Sequence, residues 1–195
     1  MSHRLARIVS ILGHPLVSLP VAALLLAAHQ GAGPARLSVL VLGLGAIALG
    51  VMGYSRWQVR RQRWRHVDAS GRGERRSLNR FLLLVFAVAT LATWAWAPQR
   101  EFALGLALSA LLIAAAMLSA RWCKLSLHVA FAMYAAVLLV QLSWLACAAG
   151  ILFVAAVAWS RLVLDRHAPR DLVAGAISGL LAGLAFCRLL PVVGS

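Results

Sequence analysis

The chain has 195 residues, of which 63% are hydrophobic and 12% charged, with a mean hydropathy of +0.87. A soluble domain carries about a quarter charged residues, so a water-soluble globule is excluded and lipid is the expected solvent. Lys and Arg number 19 against 5 Asp and Glu, for a net charge of +14; these cations sit at the ends of apolar runs, which points to membrane topology and anionic phosphate rather than nucleic acid.

Seven apolar segments follow in chain order: about 8–29, 36–55, 80–97, 102–120, 126–143, 146–164 and 170–190. A helix crossing the hydrocarbon core needs about 20 residues, and a lipid-exposed backbone must satisfy its own hydrogen bonds. The expected fold is all-α: a polytopic transmembrane helical bundle of about six to seven spans, forming one domain over 1–195. Arg4 and Arg7 precede the first segment, which is read as a retained helix, since no small-residue cleavage site ends it. Gln30-Gly-Ala-Gly-Pro34 and Pro98-Gln-Arg-Glu101 are turns. The break from Arg56 to Arg80 carries nine arginines, with Trp57 and Trp64 among them; Trp122 and Trp159 lie near other span ends. These tryptophans are expected interfacial anchors. Ser126 to Leu164 must supply two helices with a very short turn, the tightest part of the count. The last segment carries Gly175, Gly179 and Gly183 at intervals of four, a small-residue face for close packing within the fold. Cys123, Cys147 and Cys187 show no paired spacing, so no metal site or disulfide framework is implied and all three read as packing residues.

Seven crossings put four polar regions on one side: the N-terminus, the Arg56–Arg80 break, Arg121–His128 and Ser160–Asp171. The other side carries Arg36, Arg100, Glu101 and Arg188. The Ser160–Asp171 break reads Ser-Arg, five residues, His167, three residues, Asp171. A histidine can attack phosphorus, a carboxylate can fix its tautomer, and the planar, permanently charged Arg161 can bind phosphate oxygens. If Pro169 opens the last helix, Asp171 falls in its first turn, where a carboxylate is favoured. It could equally bond to the distal ring nitrogen of His167. Interface arginines paired with Asp165 and Asp171 would explain the charge, but not the histidine at this spacing. In Arg121-Trp-Cys-Lys124-Leu-Ser126-Leu-His128 a lysine and a hydroxyl can hold phosphate, while a histidine protonates a leaving oxygen.

Together these motifs resemble the type 2 phosphatidic acid phosphatase superfamily of membrane lipid phosphatases. All four defined positions of its third signature, Ser-Arg-x5-His-x3-Asp, are present at Ser160, Arg161, His167 and Asp171. Its second signature, Pro-Ser-Gly-His, is represented by Leu125-Ser126-Leu127-His128, which lacks the proline and glycine; the Lys-x-Ser-x-His form is similar to a bacterial subgroup. The first, Lys-x6-Arg-Pro, has its nearest match at Arg65-x6-Arg72, with Arg75 or Arg76 as alternatives to Arg72. His14-Pro15 also resembles a subgroup feature and is read as packing; His66 is unassigned.

The resemblance implies a metal-independent hydrolase without a cofactor, acting on a lipid phosphate or diphosphate. His167 would be the nucleophile, Asp171 its orienting carboxylate and His128 the general acid. Arg161, Lys124, Ser126, Arg72 and Arg65 would bind the phosphate. Candidate substrates are polyprenyl mono- or diphosphates, phosphatidic acid and phosphatidylglycerol phosphate. The expected location is a bacterial inner membrane, and positive-inside counting puts the arginine-rich face in the cytoplasm. The rival readings are a non-catalytic lipid-binding protein of the same fold and a transporter. The latter should hold charged groups near mid-bilayer, and these spans hold almost none.

Overall fold

The structure is a computed structural model and describes residues 2–65, 69, 71–95 and 100–194, the side chains of residues 72 and 192–194 excepted. The described residues form eight α-helices and no strand: α1 (Ser2–Leu12), α2 (Pro15–His29), α3 (Pro34–Arg60), α4 (Arg72–Trp94), α5 (Arg100–Leu118), α6 (Leu127–Leu138), α7 (Trp144–Val163) and α8 (Pro169–Gly194). The chain is thus an all-α helical bundle of membrane type. Five helices, α3, α4, α5, α7 and α8, are long and apolar enough to cross a membrane. On these helices Leu42, Leu49, Leu91 and Leu152 each expose between 71% and 75% of their surface. Outward leucines at this density are expected where the neighbour is hydrocarbon rather than water.

Among the described residues all seven apolar segments form helix, but two do not form simple spans. The first breaks at Gly13–His14 into α1 and α2, which meet at 52°. The expectation of one continuous first helix is therefore corrected. His14, the residue before Pro15, leaves the helical region at ψ 137°, and α7 packs directly on the break, where a Cβ on Gly13 would lie 3.0 Å from Cγ1 of Val157. Pro15 then opens α2, where its missing N–H costs nothing. The fifth segment yields α6, only twelve residues before a 3₁₀ turn at Leu139–Gln141. At 1.5 Å per residue α6 is roughly 18 Å long. It is apolar all round and buried along nine of its twelve residues, as befits a central helix.

Helices α2, α7 and α8 pack around α6, α5 closes behind α8, α4 lies on α5, and α1 lies on α7. The glycine stripe of α8 faces α6. A Cβ on Gly175 would sit 2.6 Å from the Ser126 carbonyl oxygen, and one on Gly183 2.5 Å from Cβ of Val137. Gly179 meets the Ala130 carbonyl more closely still. These glycines serve packing within the fold, and they set how near the start of α8 comes to the start of α6. Gly179→Val is expected to cost about 3 kcal/mol or more through overpacking, read as a lower thermal midpoint in detergent. Gly45→Ala on α3, where nothing lies within 4 Å, should leave that midpoint unchanged or raise it slightly.

Candidate functional site

The bundle encloses a cleft of about 1620 Å³. One end gathers side chains from four regions remote in sequence: Arg7, Ser10 and His14; Arg75 and Arg76; Arg121, Cys123, Lys124 and His128; and Arg161, Asp165, Arg166, His167 and Arg170. The other end reaches Gln30, Arg36 and Glu101.

Most charged groups at the first end sit at or beside a helix terminus. Arg161 lies in the last turn of α7, and its Nη1 donates to Ser10 Oγ on α1 at 2.8 Å. The neighbouring Ser160 is fully buried; its hydroxyl folds back onto the Val157 carbonyl at 2.7 Å. Helix α7 ends through Asp165 at φ 50°, a left-handed conformation that aspartate tolerates better than most residues. Pro169 opens α8, so Asp171 does fall in the first turn.

His167 is held by the backbone. Its Nδ1 lies 3.0 Å from the Lys124 carbonyl oxygen, which can only accept. Nδ1 therefore carries the proton, and the Nε2 lone pair is left for chemistry. The expected direct bond from Asp171 to this ring is not what positions it. Oδ2 of Asp171 stands 3.7 Å from Nδ1, within ion-pair reach but too far for a hydrogen bond. The carboxylate is taken up elsewhere. It accepts from the Lys124 N–H at 3.1 Å, the Ala168 N–H at 3.1 Å and the Cys123 thiol at 3.3 Å. Asp171 thus clamps one side of the Lys124 peptide, and the other side of that residue clamps His167.

Burial drives the His167 imidazole down to a pKa of about 4, with Arg161 and Lys124 adding to the effect; the Lys124 carbonyl and Asp171 oppose it. The ring is neutral at pH 7, as a nucleophile requires. Lys124 is also lowered, by burial first and then by Arg75. Its ammonium donates to the Arg166 carbonyl at 2.7 Å, which ties the two breaks together and leaves two of its protons for other partners. Cys123 is not a simple packing residue, for it lines the cleft and its thiol is raised by burial and by its bond to Asp171.

His128 sits in the first turn of α6 and lines the cleft, as His167 does. Its ring meets that of His14 edge to face, with centroids 5.1 Å apart and planes at 88°. His14 caps α2, where its Nδ1 accepts from the Leu16 N–H at 3.2 Å. The histidine assigned to packing is a cleft residue. Sequence reasoning also passed over Arg7 and Ser10, although their spacing of three places them on one face of α1.

Two expected phosphate ligands, Ser126 and Arg65, are not brought to the cleft. Ser126 is fully buried at the start of α6, off the cleft wall, with its hydroxyl unpaired among the described residues. It is displaced because the Asp171 carbonyl binds its N–H at 3.1 Å and α8 packs over its own carbonyl. Arg65 is exposed and away from the cleft wall, its N–H donating to Glu74 at 2.7 Å. The Arg72 side chain, His66 and Asp68 lie outside the described residues. Arg75 and Arg76, the alternatives for the first signature, do line the cleft. The other expectation to fail is the interfacial role of Trp64, which is 5% exposed and packs on Tyr54. Trp57, Trp122 and Trp159 remain exposed.

A neutral imidazole with one committed nitrogen, ringed by guanidinium groups at the head of an apolar shaft, is suited to attack on a dianionic headgroup. Among the described residues no three His, Cys, Asp or Glu side chains are grouped to hold a metal ion. Comparison of the chain with protein-family models, with curated proteins and with solved structures finds no match.

Proposed function

We propose that the chain is a membrane-embedded phosphatase of the type 2 phosphatidic acid phosphatase kind, cleaving a lipid phosphate or diphosphate through a phosphohistidine. The observation that carries this reading is the His167–Lys124 bond, which leaves Nε2 as a lone-pair donor within a cationic cleft. In the first step Nε2 attacks phosphorus, the bond to the leaving oxygen breaks, and His128, protonated once the phosphate dianion is bound beside it, gives that oxygen its proton. In the second step His128 takes a proton from water as the oxygen attacks the phosphohistidine, releasing inorganic phosphate and free His167. Arg161, Lys124 and Arg75, with Arg76 beside them, neutralise the phosphoryl oxygens.

The seclusion of Ser126 favours a second reading, a lipid-binding protein of the same fold without turnover. Phosphate release from phosphatidic acid, phosphatidylglycerol phosphate and a polyprenyl diphosphate by purified protein separates the two. A hydrolase should release phosphate from at least one of them; binding without release from any supports the scaffold.

We also propose that the site faces the cytoplasm of a bacterial inner membrane, from the excess of arginine at that end. With α1 and α2 taken as one crossing and α6 as another, a reporter fused after Ser195 should report from the opposite side. A cytoplasmic reporter would reverse the assignment.

A further inference from the structure

The two cleft histidines are anchored differently. The His167 ring is held through Nδ1 by the Lys124 carbonyl. Among the described residues no hydrogen bond fixes the His128 ring. What it meets is the ring of His14, with centroids 5.1 Å apart and planes at 88°. Aromatic rings favour this edge-to-face arrangement, the positive rim of one against the negative face of the other. An imidazole is otherwise loosely held about its Cβ–Cγ bond, and turning about that bond exchanges the places of its nitrogens and carbons. A perpendicular ring in contact with it opposes the turn.

His14 is itself held from several sides. Its Nδ1 accepts from the Leu16 N–H at 3.2 Å, so in the neutral ring the proton sits on Nε2. Its carbonyl oxygen accepts from the N–H groups of Val17 and Ser18 at 2.8 and 3.0 Å, and from the Ser18 hydroxyl at 3.3 Å. Gly13 before it packs on Val157 of α7, and Pro15 after it opens α2. Helix α2 packs on α6, which carries His128. Both rings line the cleft at the end that also holds Arg161, Arg166 and His167. The cap bond alone does not call for an imidazole. Asn, Asp and Ser are the preferred N-caps, and each would satisfy the Leu16 N–H with a shorter side chain. The imidazole does what a shorter cap would not: it reaches His128.

We propose that His14 is a positioning residue for the general acid, a fixed post that keeps the His128 imidazole turned toward the leaving oxygen. This rests on the phosphatase reading and adds a residue to it. General acid catalysis contributes about 10²–10⁴-fold, and an acid that swivels loses the share of that factor that depends on orientation. A departing alkoxide needs the proton. A nitrophenolate is a far weaker base and leaves without it. Removing the His14 ring should therefore slow the first kind of substrate and spare the second, whereas a residue that only held the fold would slow both alike.

The test uses purified full-length protein in nanodiscs with phosphatidic acid and p-nitrophenyl phosphate. Leaving-group release is followed in the first turnover, before water attacks the phosphohistidine. His14→Asn keeps an acceptor for the Leu16 N–H and removes the ring; His14→Phe keeps a ring against His128 and removes the acceptor. Per folded molecule, His14→Asn should release diacylglycerol about 30-fold more slowly than wild type and nitrophenolate within about threefold of the wild-type rate. Its thermal midpoint should stay near that of wild type. His14→Phe should melt lower and keep most of the wild-type rate on phosphatidic acid. Equal losses on both substrates in His14→Asn, no loss on either, or a His14→Phe as slow as His14→Asn on phosphatidic acid overturns the role and leaves hydrolysis standing. A wild-type protein that releases neither leaving group removes the phosphatase, and with it the acid that His14 would serve.

Discussion

His167→Gln is expected to reduce phosphate release by at least about 10⁴-fold, the scale seen when a nucleophile that works as a unit with its partners is removed. Helix content and extraction behaviour should be unchanged, because His167 lies in the connection between α7 and α8 and not in a packed helix. The phosphoenzyme should also disappear: a labelled, acid-labile and base-stable adduct trapped from wild type would be missing. The pH behaviour gives an independent check. Burial lowers the pKa of His167 to about 4, against roughly 6.5 for an unperturbed imidazole. Between those values the unfolded chain binds a proton that the native state refuses. The contribution of this group to stability is therefore complete above about pH 6.5 and is lost as the pH falls toward about 4. The variant should show less of that acid-side loss than wild type. For turnover, the nucleophile stays neutral through pH 5, so its protonation should not appear as an acid limb near pH 6.5. Substantial release by the variant would be decisive against His167 as the attacking group.

The helices were legible because lipid leaves the backbone no alternative. Long apolar runs must be helical, and turns rich in Gly, Pro and Arg must separate them. The first segment is apolar along most of its length, yet it forms two helices for an equally physical reason. Gly13-His14-Pro15 is itself a break signal, because the residue before a proline is steered out of the helical region, and His14 is extended at ψ 137°; the contact of Gly13 with Val157 on α7 adds to it. The site was legible to the extent that it rests on side chains at motif spacing: His167, His128, Arg161, Lys124 and Asp171 converge on one end of the bundle. What holds them was not. The Lys124 carbonyl that fixes the His167 tautomer is a backbone atom, present at every residue and therefore invisible as a signal. The Arg161–Ser10 bond joins residues 151 positions apart. Ser126 looked like a ligand by its spacing from His128, but the packing of α8 over its peptide turned it away from the cleft.

Asp171→Ala should then be more damaging than the 3.7 Å gap to His167 suggests. The carboxylate is 4% exposed and is the acceptor for two N–H groups and a thiol. Alanine leaves both N–H groups without that acceptor in a partly buried site, and each such loss costs about 1–3 kcal/mol. A total of about 2–6 kcal/mol is expected, seen as a lower thermal midpoint. Asp171→Asn keeps one oxygen but turns an NH₂ toward either the Lys124 or the Ala168 N–H. It should recover part of the stability and little of the rate. The Lys124 peptide is the link: once its N–H is released, its carbonyl no longer fixes the ring, and a displacement near 1 Å can cost about 10²-fold in turnover. The arginines that bind phosphate are not anchored through Asp171 and the Lys124 ammonium keeps its bond to the Arg166 carbonyl, so the loss should fall mainly on kcat with a smaller rise in KM. That split distinguishes a positioning carboxylate from a merely structural one, whose removal would lower the folded fraction without changing kcat per folded molecule. Near-normal turnover per folded molecule in Asp171→Ala would mean that the Lys124 carbonyl holds His167 unaided.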